Sequence, residues 1–105
     1  MGQFTVHRNP NARTRTDIPF LLDMQADLFS ILATRVVVPL YRLEALGSTP
    51  MAKLTPVLRF QDQNLVAMVP ELAGVARRSL GPAVGDLVPA RSELLQAMDL
   101  LLTGF

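Results

Sequence analysis

The chain has 105 residues and no cysteine. That absence excludes disulfides, thiolate metal sites and cysteine nucleophiles together. There is a single histidine, His7. With no cysteine and no carboxylate pair beside it, it does not make a metal site, and it reads as an exposed or edge-strand residue. Charge is also scarce: 18% of residues are charged and the net charge is +1. Such a balance provides no broad field for binding nucleic acid directly. No apolar run is long enough to span a bilayer, and the start, MGQFTVHRNP, lacks the apolar segment of a signal peptide. Gly2 would suit myristoylation, but Val6 stands where that motif needs Ser or Thr. These absences lead to the expectation of a cytoplasmic protein with no membrane contact and no cofactor.

Catalytic frameworks are missing as well. The segment Gly81–Gly85, GPAVG, has neither the lysine of a phosphate-binding loop nor dinucleotide-binding spacing. No GxSxG elbow occurs. The carboxylates (Asp17, Asp23, Asp27, Glu44, Asp62, Glu71, Asp86, Glu93 and Asp99) are scattered, and nothing pairs two of them as acid and base.

Apolar side chains are plentiful: half of the residues are hydrophobic. That is enough for one domain over residues 1–105, with some to spare for a dimer contact. Gln3–His7 alternates polar and apolar residues and reads as a strand with Phe4 and Val6 on one side. Arg8–Asp17, rich in Arg and Asn, reads as a mobile surface loop. Phe20–Met24 is a second strand, entered through Pro19. Gln25–Thr34 is open between a turn and a short helix.

The strongest strand is Arg35–Tyr41, whose three consecutive valines suit burial on both faces. Pro39 cannot donate to a ladder, so a bulge or an edge is expected there. Thr55–Phe60 and Leu65–Val69 flank the polar connection Gln61–Asn64 and form a hairpin. A weaker strand spans Val75–Ser79. From Pro89 the chain turns helical, with Asp86 as a cap and Gly104 as the stop. Its apolar face carries Leu94, Leu95, Met98, Leu101, Leu102 and Phe105. Asp99 and Thr103 lie on another face. An acidic residue near the negative end of the helix dipole is locally unfavourable, so this polar pair, with Gly104 and Phe105 just beyond, marks a surface for contact. Strands followed by one terminal helix give an α+β domain, mainly β.

Four stretches, taken in order, resemble the CcdB toxins of bacterial toxin–antitoxin systems. They are Gly2-Gln3-Phe4-Thr5-Val6, then Asp23-Met24-Gln25-Ala26-Asp27-Leu28, then Arg35-Val36-Val37-Val38-Pro39-Leu40, and the terminal helix ending Thr103-Gly104-Phe105. Leu54-Thr55-Pro56-Val57 agrees more weakly. The resemblance implies an SH3-like antiparallel β-barrel with a small second sheet and a C-terminal helix, assembled as a homodimer. It also implies a gyrase poison. Such a protein binds the A subunit of DNA gyrase, traps the cleaved gyrase–DNA complex, performs no catalysis and meets nucleic acid only through gyrase or antitoxin. A CcdA-like antitoxin would neutralise it.

Carried over residue by residue, the gyrase contact falls on Asp99, Thr103, Gly104 and Phe105, with a second patch at Leu28 and Phe29. A member of the family has Asn in place of Asp99 and Trp in place of Thr103. The loss of Trp removes a large flat anchor, and Asp offers only an acceptor where Asn offers both roles. Leu101 is assigned to the dimer interface. Arg8, Arg13 and Arg15 are assigned to an acidic antitoxin segment. Asp23, Gln25 and Arg35 read as structural groups that supply one another with partners.

Bland readings stand beside these. The helical stripe serves equally as core, Gly104 as a simple helix stop, and Leu28–Phe29 as a turn packed on the barrel. Two rival functions remain: a same-fold messenger-RNA ribonuclease of the MazF and Kid kind, and a non-toxic homologue that retains only antitoxin binding.

Overall fold

A computed structural model describes residues 2–29 and 31–104 of the chain. Seven antiparallel strands form one connected sheet: β1 (Thr5–Arg8), β2 (Phe20–Asp23), β3 (Thr34–Arg42), β4 (Val57–Phe60), β5 (Gln63–Ala67), β6 (Ala73–Ala76) and β7 (Ala83–Asp86). One helix, α1 (Arg91–Thr103), follows them. Along the sheet the order is β4-β5-β3-β2-β1-β7, while β6 pairs separately with β3. The architecture is α+β and mainly β, a curled half-barrel with a terminal helix. The expected small second sheet is a wing of the main one, β6 on the first half of β3.

β3 is the spine. One edge pairs with β2. The other serves β6 over Thr34–Val37 and β5 over Leu40–Arg42. Pro39 stands where β6 hands over to β5. Its carbonyl accepts the Met68 N–H at 3.1 Å, so its missing N–H falls on that same side, in the gap between the two partners. No bulge is needed there: β2 and β3 stay in regular register through Leu21 and Pro39.

Inward-facing residues align across strands. Val6 opposes Leu22, which opposes Val38; Phe20 opposes Leu40, which opposes Ala67. All are buried. Phe20 and Phe60 meet edge to face, with centroids 5.3 Å apart. The sheet curls until its ends approach. A Cβ on Gly85 of β7 would lie 2.8 Å from the Phe60 ring of β4, so glycine is what lets that ring in. Gln61 Nε2 donates to the Val84 carbonyl at 3.3 Å across the same seam. The helix closes the core with Leu94 and Ala97, packed with Leu87, Ala90 and Val69.

Several sequence expectations change. β1 begins at Thr5, because Phe4 is left-handed, at φ 69°, while still buried. Its conformation is held by a bond from Phe4 N–H to the Asp23 carbonyl and from Leu87 N–H to the Phe4 carbonyl. His7 is buried, with 2% exposed, because β1 lies inside the sheet between β2 and β7 and the Gly81 segment crosses over it; His7 Nδ1 lies 3.0 Å from the Gly81 carbonyl. The hairpin connection is Gln61–Asp62 alone, since Gln63 and Asn64 already pair with Phe60 and Arg59. The weak strand shifts to Ala73–Ala76, and Arg77–Ser79 forms a 3-10 turn. Asp86, expected as a cap, stands before the N-cap Leu87 of the 3-10 turn Val88–Ala90, where its Oδ1 accepts the Val88 N–H at 3.0 Å. α1 ends at Thr103, where Gly104 takes a left-handed φ of 78° and bonds back to Leu100.

Both residues of the β4–β5 turn are left-handed, with φ 48° and 61°, as a type I′ turn requires. Neither is glycine. The left-handed penalty of about 1–2 kcal/mol for an L-residue exceeds glycine's entropic cost of about 0.5–1 kcal/mol. Asp62→Gly is therefore expected to raise the unfolding midpoint, and a thermal melt that shows a lower midpoint refutes this account of the turn.

Candidate functional site

The polar centre of the molecule lies where β2 ends beside β3. Asp23 and Arg35 are fully buried. Arg35 donates from Nε at 2.8 Å and from Nη2 at 2.7 Å, both to Asp23 Oδ2. Asp23 Oδ1 accepts the Gln25 N–H at 2.9 Å. Gln25 in turn donates from Nε2 to the Phe29 carbonyl at 2.9 Å and accepts the Val36 N–H on Oε1 at 3.1 Å. The expectation that these three groups supply one another with partners holds for Asp23 and Arg35 and for the Gln25 N–H, whereas the Gln25 carboxamide finds its partners in the backbone of Phe29 and Val36. Removing one member of a buried pair leaves the other charge unmatched, at a cost of about 3–5 kcal/mol.

From this centre the chain turns out into a 3-10 turn, Asp27–Phe29. In it and just after it, apolar residues face solvent: Leu28 is 82% exposed and Ile31 87%, with Phe29 and Leu32 about half exposed. The reading of this pair as a turn packed on the barrel is therefore corrected. Backbone hydrogen bonds and the Gln25 contact turn the main chain inward, and the side chains point away from the core.

α1 behaves differently along its length. Leu94 and Ala97 are buried, and Leu95 and Met98 are partly so. In the last turn the stripe emerges: Leu101 is 37% exposed and Leu102 71%. Leu102 is therefore not part of the core within one chain, while its share in a dimer contact belongs to the proposed assembly. Thr103 Oγ1 donates to the Asp99 carbonyl of its own helix at 2.6 Å, so its hydroxyl proton is already engaged. The Asp99 carboxylate lines a cleft of about 350 Å³ with Gln96, Leu100 and Lys53, the last from the β3–β4 connection. Gly104 has open space where a side chain would stand. Phe105 lies outside the described residues.

The arginine-bearing segment is a hydrogen-bonded turn. Asn9 is buried, and its Nδ2 donates to Thr14 Oγ1 at 2.9 Å and to the Ile18 carbonyl at 2.8 Å. Asn11 Oδ1 accepts the Arg13 N–H at 2.9 Å. Arg8 and Arg15 meet Gln61 and Gln63 around a cleft of about 430 Å³. Arg13 does not line it. The two glutamines could not be read from the sequence as part of this place, because the hairpin lies far along the chain.

The candidate residues therefore occupy three places: the apolar loop, the helix end with its Lys53–Asp99 cleft, and the arginine cleft. Among the described residues there is no group of His, Cys, Asp and Glu able to hold a metal ion, and no helix long and apolar enough to cross a membrane. The CcdB protein family matches residues 3–104. The chain belongs to the CcdB family. Members of this family are toxins of toxin–antitoxin modules.

Tyr41 ties the far end of β3 to the turn that supports α1. Its hydroxyl donates to Glu71 Oε1 at 2.6 Å. Accepted by a carboxylate, partly buried and close to the negative charges of Glu71 and Asp17, the phenol is pushed up from 10.0 to about 12. The neutral phenol is favoured in the folded state, so this contribution to stability is complete below the unfolded value and is lost as pH rises through the folded one. The chain has one tyrosine and no tryptophan, so tyrosinate absorbance reads this group alone. We expect a midpoint near 12 that moves down toward 10 in Glu71→Gln; equal midpoints in the two proteins contradict the assignment.

Proposed function

We propose that the chain is a single toxin domain, residues 1–105, that binds the A subunit of DNA gyrase and holds the cleaved gyrase–DNA complex. The contact residues are Asp99, Thr103, Gly104 and Phe105 at the end of α1, with Leu28 and Phe29 of the apolar loop. The protein acts in the cytoplasm as a homodimer with Leu101 at its interface, and a CcdA-like antitoxin neutralises it. The observation that carries this reading is the exposure of large apolar side chains at both places assigned to gyrase, Leu28 at 82% and Leu102 at 71%. Contiguous apolar exposure of this kind marks an interaction surface.

The substitutions relative to a family member shape the contact. Where that relative presents a Trp, this chain presents Thr103, whose hydroxyl is spent on its own helix. The neighbouring Leu102 is then the largest apolar group exposed in the last described turn. Asp99 offers a charged acceptor beside Lys53 and suits a donor group on the partner. For the antitoxin, two guanidinium groups and two carboxamides around one cleft suit an acidic side chain.

Induced expression in growing bacteria is expected to stop growth, and a gyrase A variant altered at the toxin contact restores it. Leu102→Asp is expected to remove toxicity while the protein remains folded. Unimpaired growth with abundant folded protein refutes the proposal. Arrest that the gyrase variant does not relieve, accompanied by cut messenger RNA, assigns the chain to the ribonuclease class instead. Arg15→Glu is expected to weaken antitoxin binding at least tenfold, about 1.4 kcal/mol, and Arg13→Glu less, because Arg15 lines the cleft and Arg13 does not. Equal affinities of both variants and the parent exclude that cleft from the interface.

A further inference from the structure

The loop that carries Leu28, Phe29, Ile31 and Leu32 runs beside a core that should draw it in. Apolar side chains next to a hydrophobic interior gain by collapsing into it, yet these remain in solvent. The backbone contacts explain why. At the entry, Asp27 Oδ1 accepts the Gln3 N–H at 2.6 Å. In the middle, the Phe29 carbonyl accepts both the Leu32 N–H at 3.1 Å and Gln25 Nε2 at 2.9 Å. At the exit, Arg77 Nη2 donates to the Leu32 carbonyl at 2.6 Å, and the Arg77 N–H bonds to the Ala33 carbonyl at 2.8 Å. The bonds from Gln25 and Arg77 tie the Phe29, Leu32 and Ala33 carbonyls to groups outside the loop. The Leu32–Phe29 bond closes the turn and the Asp27 carboxylate anchors its start, so the main-chain polar groups are satisfied while Leu28 and Ile31 stay in solvent.

Gln25 is the inner anchor of the set. It is 8% exposed and fixed by the Asp23–Arg35 pair through its own N–H. Its carboxamide has one role on each side: acceptor to β3 at Val36, donor to the loop at Phe29. A carboxamide supplies both, whereas a carboxylate only accepts. Arg77, on the turn after β6, holds the opposite end. We propose that Gln25 and Arg77 are positioning residues: they hold the apolar loop in one outward conformation in the unbound protein, so that it meets its partner without first being ordered. The part played by the partner rests on the reading of this loop as a gyrase contact; the holding of the loop does not.

Two substitutions separate the roles. Gln25→Glu retains an acceptor for Val36 and loses the donor to Phe29. Arg77→Met removes the clamp at Leu32 from a partly exposed site, so that one variant folds even if the other does not. Amide hydrogen exchange in the unbound protein is the first readout. We expect the Phe29 and Leu32 amides to exchange at least tenfold faster in Gln25→Glu, and Leu32 to do so in Arg77→Met, while the amides of Val38 and Leu40 keep their protection. A purely structural role would move core and loop amides together, and unchanged loop exchange in both variants overturns the proposal.

Titration against the gyrase A subunit is the second readout. Affinity is expected to fall about tenfold in Gln25→Glu with no further fall when Phe29→Ser is added, because both act through the same loop. Losses that simply multiply overturn the positioning role in binding. Faster loop exchange in a protein whose parent form does not bind gyrase leaves the holding of the loop supported and refutes the gyrase reading alone.

Discussion

A carboxylate and a guanidinium, both fully buried, face each other where β2 meets β3, and the neighbouring backbone is arranged around them. Taking two charges out of water costs several kcal/mol per ion unless geometry and further hydrogen bonds offset it. Here Arg35 gives two donors to one oxygen of Asp23, and the other oxygen takes the Gln25 N–H. The pair fixes the start of β3, the end of β2 and the direction in which the chain leaves the sheet. Phe4 depends on the same place. Its N–H bonds to the Asp23 carbonyl, which helps to hold a buried aromatic residue in a left-handed conformation that it would not choose alone.

The proposed function rests on apolar side chains that stay outside this core. A sheet with a packed inner face and a helix across it has little reason to expose leucine, isoleucine and phenylalanine. It does so in a loop whose backbone is tied down at both ends, and again where the stripe of α1 runs past the edge of the core. The same constraint separates these two places in origin: the loop is exposed because its main chain is held inward, the helix end because the core stops at Met98. The arginine turn is a third place, built on the buried Asn9 instead of on apolar contacts.

Much of this was legible in the sequence, and the failures have physical causes. The valine run of β3 and the stripe of α1 showed themselves because both elements are long and bury one kind of residue. β7 did not, because Ala83–Asp86 has no alternation; it forms by pairing with β1, and Gly85 serves the Phe60 ring. His7 was misread because its burial comes from a segment more than seventy residues away. Leu102 could not be told from Leu94 on the pattern alone, since periodicity reports which residues are apolar and not which are covered. For the candidate contacts, the arginines were visible as charge, but Gln61 and Gln63 join them, and Lys53 joins Asp99, only through folding.

The central claim is that these exposed surfaces serve to hold gyrase in its cleaved state. Incubation of the purified chain with DNA gyrase and supercoiled plasmid, followed by detergent and protease, tests it most directly. The account predicts linear plasmid that accumulates with increasing toxin, its broken ends having been covalently bound to the gyrase A subunit before digestion. Plasmid that remains unbroken with folded chain in excess contradicts it.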